Sequence, residues 1–144
     1  MVISSDTSFL FSLYGNDSHT LTATAWLKTI TAPIYLSTFN DFELRNALRF
    51  AEFSRRLEPG AASDHLVLFE KAITLGRVIL SPLRPTEILA EASRLSAAHT
   101  LTGGHRGFDI LHVAAAKLIG ATHFLTFDTN QKKLAAKEGL IVPL

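Results

Sequence analysis

The sequence predicts an α/β fold, a three-layer α/β/α sandwich around a central, mostly parallel sheet of short strands. Two observations predict it. Short apolar runs with strand character alternate along the chain with longer segments whose apolar residues recur at helical spacing. The short runs are apolar throughout, the pattern of strands covered on both faces, and parallel strands of that kind are joined by helical crossovers. With 144 residues, 47% of them hydrophobic, and no repeat, linker or low-complexity segment, residues 1–144 are expected to form one domain with a real core.

The elements follow in order. Residues 1–6 open as a strand that ends at an acid, and residues 8–14 continue as a helix closed by the turn Gly15-Asn16-Asp17. Residues 21–30 have helical spacing up to the break at Ala32-Pro33, and residues 34–36 form a second strand ending at the capping residues Ser37 and Thr38. A long helix over 38–57 is stopped by Glu58-Pro59-Gly60. Residues 64–75 are a helix, 78–80 a strand, and 85–99 a helix with Pro85 in its first turn, where a missing N–H costs nothing. After the loop Gly103-Gly104-His105, residues 108–119 form the last large helix, ended by Gly120. A strand over 123–127, a helix over 130–137 ended by Gly139, and a final strand over 140–142 complete the chain.

Composition removes several function classes. Fourteen basic and thirteen acidic residues give a net charge of +1, too weak a field to attract a polyanion, so nucleic-acid affinity has to come from local clusters. The absence of cysteine excludes disulfides and zinc thiolate sites, and the six histidines show no HExxH spacing. The first residues lack signal-peptide character and no apolar run reaches the roughly 18 residues of a membrane span, so a cytoplasmic protein is expected.

Four carboxylates stand in apolar contexts. Asp6 and Asp128 end strand-like runs, and in a parallel sheet the ligand crevice lies at the carboxyl ends of the strands. Asp is also a good helix N-cap, the ordinary alternative for both. At 100° per residue, Glu43 falls in one sector with Phe39, Phe42, Asn46, Phe50, Phe53 and Leu57, while Asp41, Arg45, Arg49, Glu52 and Arg56 gather opposite. An inward Glu43 is therefore expected, against the alternatives of a Glu favoured by the helix dipole or one whose stem packs while its head reaches water. Asp109 and Lys117 are the only formal charges between Phe108 and Gly120, on a helix that otherwise reads as core. The ordinary alternative for Asp109, near the helix N-terminus, is to complement the dipole. His112, one turn on, is placed to touch the same site but reads first as a core histidine. Four carboxylates in one crevice raise each other's pKa unless divalent cations neutralise them, and hard oxygen ligands without His or Cys select Mg²⁺ or Mn²⁺. Such ions bind substrate phosphates, which makes phosphodiester hydrolysis the expected chemistry.

The segments VISSDTSFL, STFNDFELRNAL, RGFDILHVAAAKLIGATHFLTFD and TNQKKLAAKEGLIVPL together resemble a PIN domain, specifically the toxin ribonucleases of VapC type. The resemblance spans essentially the whole chain and is most specific over residues 106–140. It implies that Asp6, Glu43, Asp109 and Asp128 are the catalytic acidic quartet that binds Mg²⁺ or Mn²⁺. Thr126, on the strand face of Asp128 by the period of two, is similar to the family's hydroxyl residue beside the site. Asn130 stands where many relatives carry a further polar or acidic group, and Ser8 is a candidate neighbour of Asp6. The implied activity is an endoribonuclease, the toxin of a type II toxin-antitoxin system, which cuts RNA through a metal-activated water to leave a 5′-phosphate and a 3′-hydroxyl. A cognate antitoxin and a homodimer are implied as partners. Candidate RNA-binding residues are Arg45, Arg49, Arg106, Lys132 and Lys133. The alternative from another class is a PIN-like module that binds metal, RNA or protein without turnover. A phosphoryl-transfer enzyme of haloacid-dehalogenase type would want a DxD pair, of which Asp6-Thr7-Ser8 supplies only the first member.

Overall fold

A computed structural model describes all 144 residues. Four strands, β1 (Ile3–Ser5), β2 (Ile34–Leu36), β3 (Val78–Leu80) and β4 (His123–Leu125), form one parallel sheet in the order β3-β2-β1-β4. Ile3 lies opposite both Ile34 and His123, and Ile34 opposite Val78, so one register line crosses the sheet. Every strand is followed by helix: α1 (Thr7–Tyr14) and α2 (Thr20–Leu27) after β1, α3 (Thr38–Phe53) and α4 (Ala61–Thr74) after β2, α5 (Pro85–Gly103) and α6 (Gly107–Ile119) after β3, and α7 (Thr129–Lys137) after β4. The result is the expected α/β/α architecture.

The period of two along each strand divides the core. Ile3, Ile34, Leu36, Val78 and Leu125 pack with Phe9, Leu10, Leu44, Leu48 and Phe69 of α1, α3 and α4. Phe124, from the opposite face, packs with Ile88, Leu95, Val113, Leu134 and the alanines Ala114, Ala115 and Ala116 of α5, α6 and α7. On that same face β1 presents the small Ser4, and the alanine run lets α6 pack closely on β1 and β2.

Three expectations are corrected. Residues 140–142 form no strand: only Ile141 bridges to His123, because the chain reaches the sheet edge for one residue. β4 ends at Leu125, so Thr126 and Asp128 lie beyond the strand, not on one of its faces. On α3 the buried strip is Asn40, Leu44, Leu48 and Ala51, whereas Phe42, Phe50 and Phe53 are exposed. The supposedly solvent-facing charges explain the rotation. Arg45 bonds Glu70 of α4 at 2.9 Å and lies over the Phe69 ring, and Glu52 caps the Ala62 N–H at 2.9 Å, so that strip is turned toward α4.

One ionic cluster ties the second helix layer together. The Glu138 carboxylate, after α7, receives Lys117 Nζ at 2.6 Å from α6, and His99 Nε2 at 2.7 Å and an Arg94 Nη at 3.1 Å from α5. Burial alone pushes the Glu138 carboxyl up, but the hydrogen bonds from Lys117, His99 and Arg94 outweigh it and hold the group at about 2. A depressed folded pKa contributes stability that is complete above the ordinary value of 4.5 and is lost as pH falls toward about 2. Urea midpoints measured from neutral pH down through this window are therefore expected to fall more steeply for the native chain than for Glu138→Gln, and parallel curves would contradict the assignment.

Candidate active site

The carboxyl ends of β1 and β4, the start of α3 and the start of α6 face one cleft of about 250 Å³. Asp6 follows β1 directly and is held there by its N–H, which donates to Leu125 O at 3.1 Å. It is the N-cap of α1: Oδ1 accepts from Phe9 N at 2.9 Å, while Oδ2 accepts from Ser8 Oγ at 2.7 Å and Thr126 Oγ1 at 2.6 Å. Its exposure is 2%. Burial pushes the Asp6 carboxyl above the usual range, and these three hydrogen bonds only partly oppose the rise.

Asp128 is the N-cap of α7, accepting from Gln131 N at 2.7 Å. Its own N–H donates to Thr126 Oγ1 at 3.0 Å, so the Thr126 hydroxyl links the Asp128 backbone to the Asp6 carboxylate. Gln131 in turn donates from Nε2 to Asp109 O at 3.0 Å. The capping alternative for Asp6 and Asp128 is thus true of each and does not exclude a place in the cleft, which both line: the cap uses Oδ1 in each, leaving Oδ2 of Asp128 near Arg106 and Oδ2 of Asp6 to Ser8 and Thr126.

Glu43, in the second turn of α3, accepts from Thr7 Oγ1 at 3.0 Å and meets His112 Nε2 at 2.5 Å through Oε2. His112 is buried, and Thr7 Oγ1 lies 3.2 Å from the same ring nitrogen. Burial would raise the Glu43 carboxyl, but the bonds from His112 and Thr7 and the nearby Arg106 charge hold it below the usual range. Asp109, in the first turn of α6, accepts from Arg106 Nε at 3.0 Å, and an Arg106 Nη lies 3.8 Å from Asp128 Oδ2. The Arg106 guanidinium therefore spans two of the four acids.

All four predicted acids line the cleft, together with Ser8 and Arg106. Only Asp6 is buried; Glu43, Asp109 and Asp128 keep 35%, 18% and 34% of their side-chain exposure, so the sequence overstated their removal from water. Thr126 touches Asp6 from beneath the cleft. Asn130 turns away to Gly104 O at 3.4 Å. Of the five candidate RNA-binding residues only Arg106 lines the cleft: Arg45 is engaged with Asp41 and Glu70, and Arg49, Lys132 and Lys133 are outside its lining.

Sequence reasoning ranked His112 as core ahead of a place at the site, and missed Thr7 and Arg56 as cleft-lining residues. The spacing of three from Asp109 put His112 on the acid's helix face, which was the available signal; Thr7 and Arg56 had none. A quieter omission is Asn40, buried at the head of α3. Its Nδ2 donates to Ser5 O at 3.0 Å, and its Oδ1 accepts from Ser37 N at 3.0 Å and Ser37 Oγ at 2.9 Å. Asn40 thereby couples the end of β1, which carries Asp6, to the helix that carries Glu43.

The donor set fits a hard divalent cation in chemistry, since it offers carboxylate oxygens in a partly desolvated cleft. In this conformation no three His, Asp or Glu groups converge closely enough to hold one, and Arg106 supplies the positive charge between Asp109 and Asp128. Asp6, Glu43, Asp109 and Asp128 are the residues that could hold such an ion.

Asn40→Ala removes three buried bonds and should lower the stability by about 3 kcal/mol, at about 1 kcal/mol per bond. Urea denaturation reads this directly, and a loss below about 0.5 kcal/mol, the scatter of neutral surface substitutions, would show that the coupling is not structural.

The PIN domain family model matches residues 3–137. No curated protein sequence matches the chain. Among solved structures, VapC20 from Mycobacterium tuberculosis, described as a sarcin-ricin loop cleaving toxin, is similar with a TM-score of 0.69 at 20% identity, covering 96% of both chains. FitAcB from Neisseria gonorrhoeae gives a TM-score of 0.64 at 21% identity over 98% of this chain and 96% of that one. VapBC2 from Rickettsia felis, bound to a DNA fragment from their promoter, gives 0.65 at 16% identity over 99% and 97%. At these identities the three structures share the fold.

Proposed function

The chain belongs to the PIN domain family, and from that premise we propose that it is a Mg²⁺- or Mn²⁺-dependent endoribonuclease, the toxin of a type II toxin-antitoxin system. The observation that carries the reading is the convergence on one cleft of four carboxylates from four separate parts of the fold. Family membership supports nuclease chemistry, and the likeness to VapC20 and VapBC2 supports the toxin role and an antitoxin partner. A homodimer and a cytoplasmic site of action belong to the same proposal; no helix is long and apolar enough to cross a membrane.

A bound divalent cation would supply a water of lowered pKa and offset charge on the reacting phosphate. The chain's own residues do the rest. Ser8, Thr126 and the Phe9 N–H fix the Asp6 carboxylate and leave it short of positive charge. Thr7 and His112 hold Glu43 ionised and oriented at the mouth. Arg106 partly offsets the charge of Asp109 and Asp128 and, with most of its side chain exposed, is free to turn toward an incoming phosphate. The Thr7, Ser8 and Thr126 hydroxyls donate to carboxylates and orient them, and the proposed hydrolysis requires no side-chain nucleophile.

That the acids do not close on one point in this conformation favours a second reading, a PIN-like module that binds without turnover. A labelled RNA separates the two. Cleavage in Mg²⁺ should vanish with a chelator and fall at least about 100-fold in Asp6→Asn and Asp109→Asn, given that even outer-shell partners of metal sites are worth 10–100-fold. Full activity in both variants would remove the carboxylates from the mechanism, and binding without cleavage in the native chain would establish the module.

A further inference from the structure

The cleft continues past the acids along α3, where it is lined by Ala47, Phe11 and Arg56. We propose that Arg56, seated on the Phe11 ring, is a phosphate-binding subsite that takes a backbone phosphate of single-stranded RNA adjacent to the one being cleaved. The inference rests on the nuclease reading for its substrate and on three observations for its place.

First, Arg56 is the cleft's uncommitted cation. Arg45, Arg84, Arg94, Arg106 and Lys117 all pair with carboxylates, whereas Arg56 pairs with none. Its Nε donates to Ser54 Oγ at 3.2 Å, which leaves both Nη groups for a bidentate bond to phosphate oxygens. Second, its guanidinium carbon stands 5.9 Å from the Phe11 ring centroid, a shelf that restricts an otherwise exposed side chain. Third, the backbone is bent to put it there. Arg55 has φ +60°, the left-handed conformation that Gly104 and Gly120 provide at the ends of α5 and α6 and that a side chain disfavours. The reversal is anchored by Arg56 N and Leu57 N, which both donate to Ala51 O, at 2.8 and 3.1 Å, and by the burial of Leu57. Strained backbone persists where its surroundings impose it, and such positions gather at binding sites.

The spacing fits a neighbouring phosphate. Arg56 is tied to α3 at Ala51, eight residues beyond Glu43, which at the helical rise is about 12 Å along the axis. Arg56 therefore does not reach between the acids as Arg106 does, and an RNA strand in the cleft would meet the acids first and Arg56 at the next phosphates.

The test compares Arg56→Gln with Arg55→Gln, which removes the same charge one residue away, outside the acid cleft beside Phe53 and Pro59. Binding of a fluorescent single-stranded RNA is measured over a salt series in the Asp6→Asn background, and cleavage in the native background. Arg56→Gln should weaken binding about 5- to 20-fold and make the salt slope shallower by about 0.7, the value of one phosphate contact on a single strand. It should lower kcat/KM for the oligonucleotide by more than it lowers that for bis(p-nitrophenyl) phosphate, a diester with no neighbouring phosphate. Arg55→Gln should change none of these. Equal RNA affinity and equal salt slope in the two variants would overturn the subsite. A native chain that binds RNA through Arg56 but never cleaves it would keep the subsite and discard the nuclease reading; a chain that binds no RNA would overturn both.

Discussion

The arrangement depends on one carboxylate that cannot reach water. Asp6 sits just past the central strand β1, closed in by α1 below and by Thr126 beside it, with three hydrogen bonds and no cation in contact. Hydrogen bonds from hydroxyls and an amide soften the desolvation of a charge but do not cancel it, so its pKa stays raised. A fold that keeps such a group buried in the lining of a cleft, beside three further acids, has built an electrostatic deficit that positive charge can fill. Arg106 partly fills it at Asp109 and Asp128. Asp6 receives nothing comparable.

The sheet explains why these acids meet although they are up to 122 residues apart in sequence. With all strands parallel, every crossover returns the chain so that the next strand ends on the same rim. β1 and β4 are neighbours, which sets Asp6 against Thr126 and, through Thr126, Asp128. Asn40 then binds the rim of β1 to the head of α3, and His112 binds Glu43 of α3 to α6. Apart from the local Thr126–Asp128 bond, each link is a buried or partly buried hydrogen bond between elements distant in sequence, so the geometry of the cleft and the stability of the fold are two readings of the same contacts.

How much of this was legible in the sequence varied with the range of the interaction that decides it. Strands β2 and β3 were bounded correctly because their apolar runs are flanked by Pro, Ser and Gly, which act locally. The phase of α3 was not, because two apolar strips lie side by side on it. Leu44, Leu48 and Ala51 compete with Phe42, Phe50 and Phe53, and the choice is made by Arg45 and Glu52 reaching α4. Glu43 lies on the border between the strips, half-buried, which is why it lines the cleft although the sector that singled it out is largely exposed. His112 looked like core and is buried as core residues are, but its partner is 69 residues away on another helix. Arg56 was assigned to an outward strip on the assumption of a continuous helix, and the left-handed Arg55 invalidates that assumption. Patterns within a helix carry phase; they do not carry the turn that ends it.

The central claim is that the four acids act as one cation-binding unit. Titration of Mn²⁺ into the purified chain, followed by calorimetry together with the melting temperature, tests it without reference to turnover. The account predicts saturable binding that raises the melting temperature with free Mn²⁺, as a ligand specific to the folded state must, and that is abolished in Asp109→Asn. Binding that is absent from the native chain, or equally tight in the variant, would contradict it.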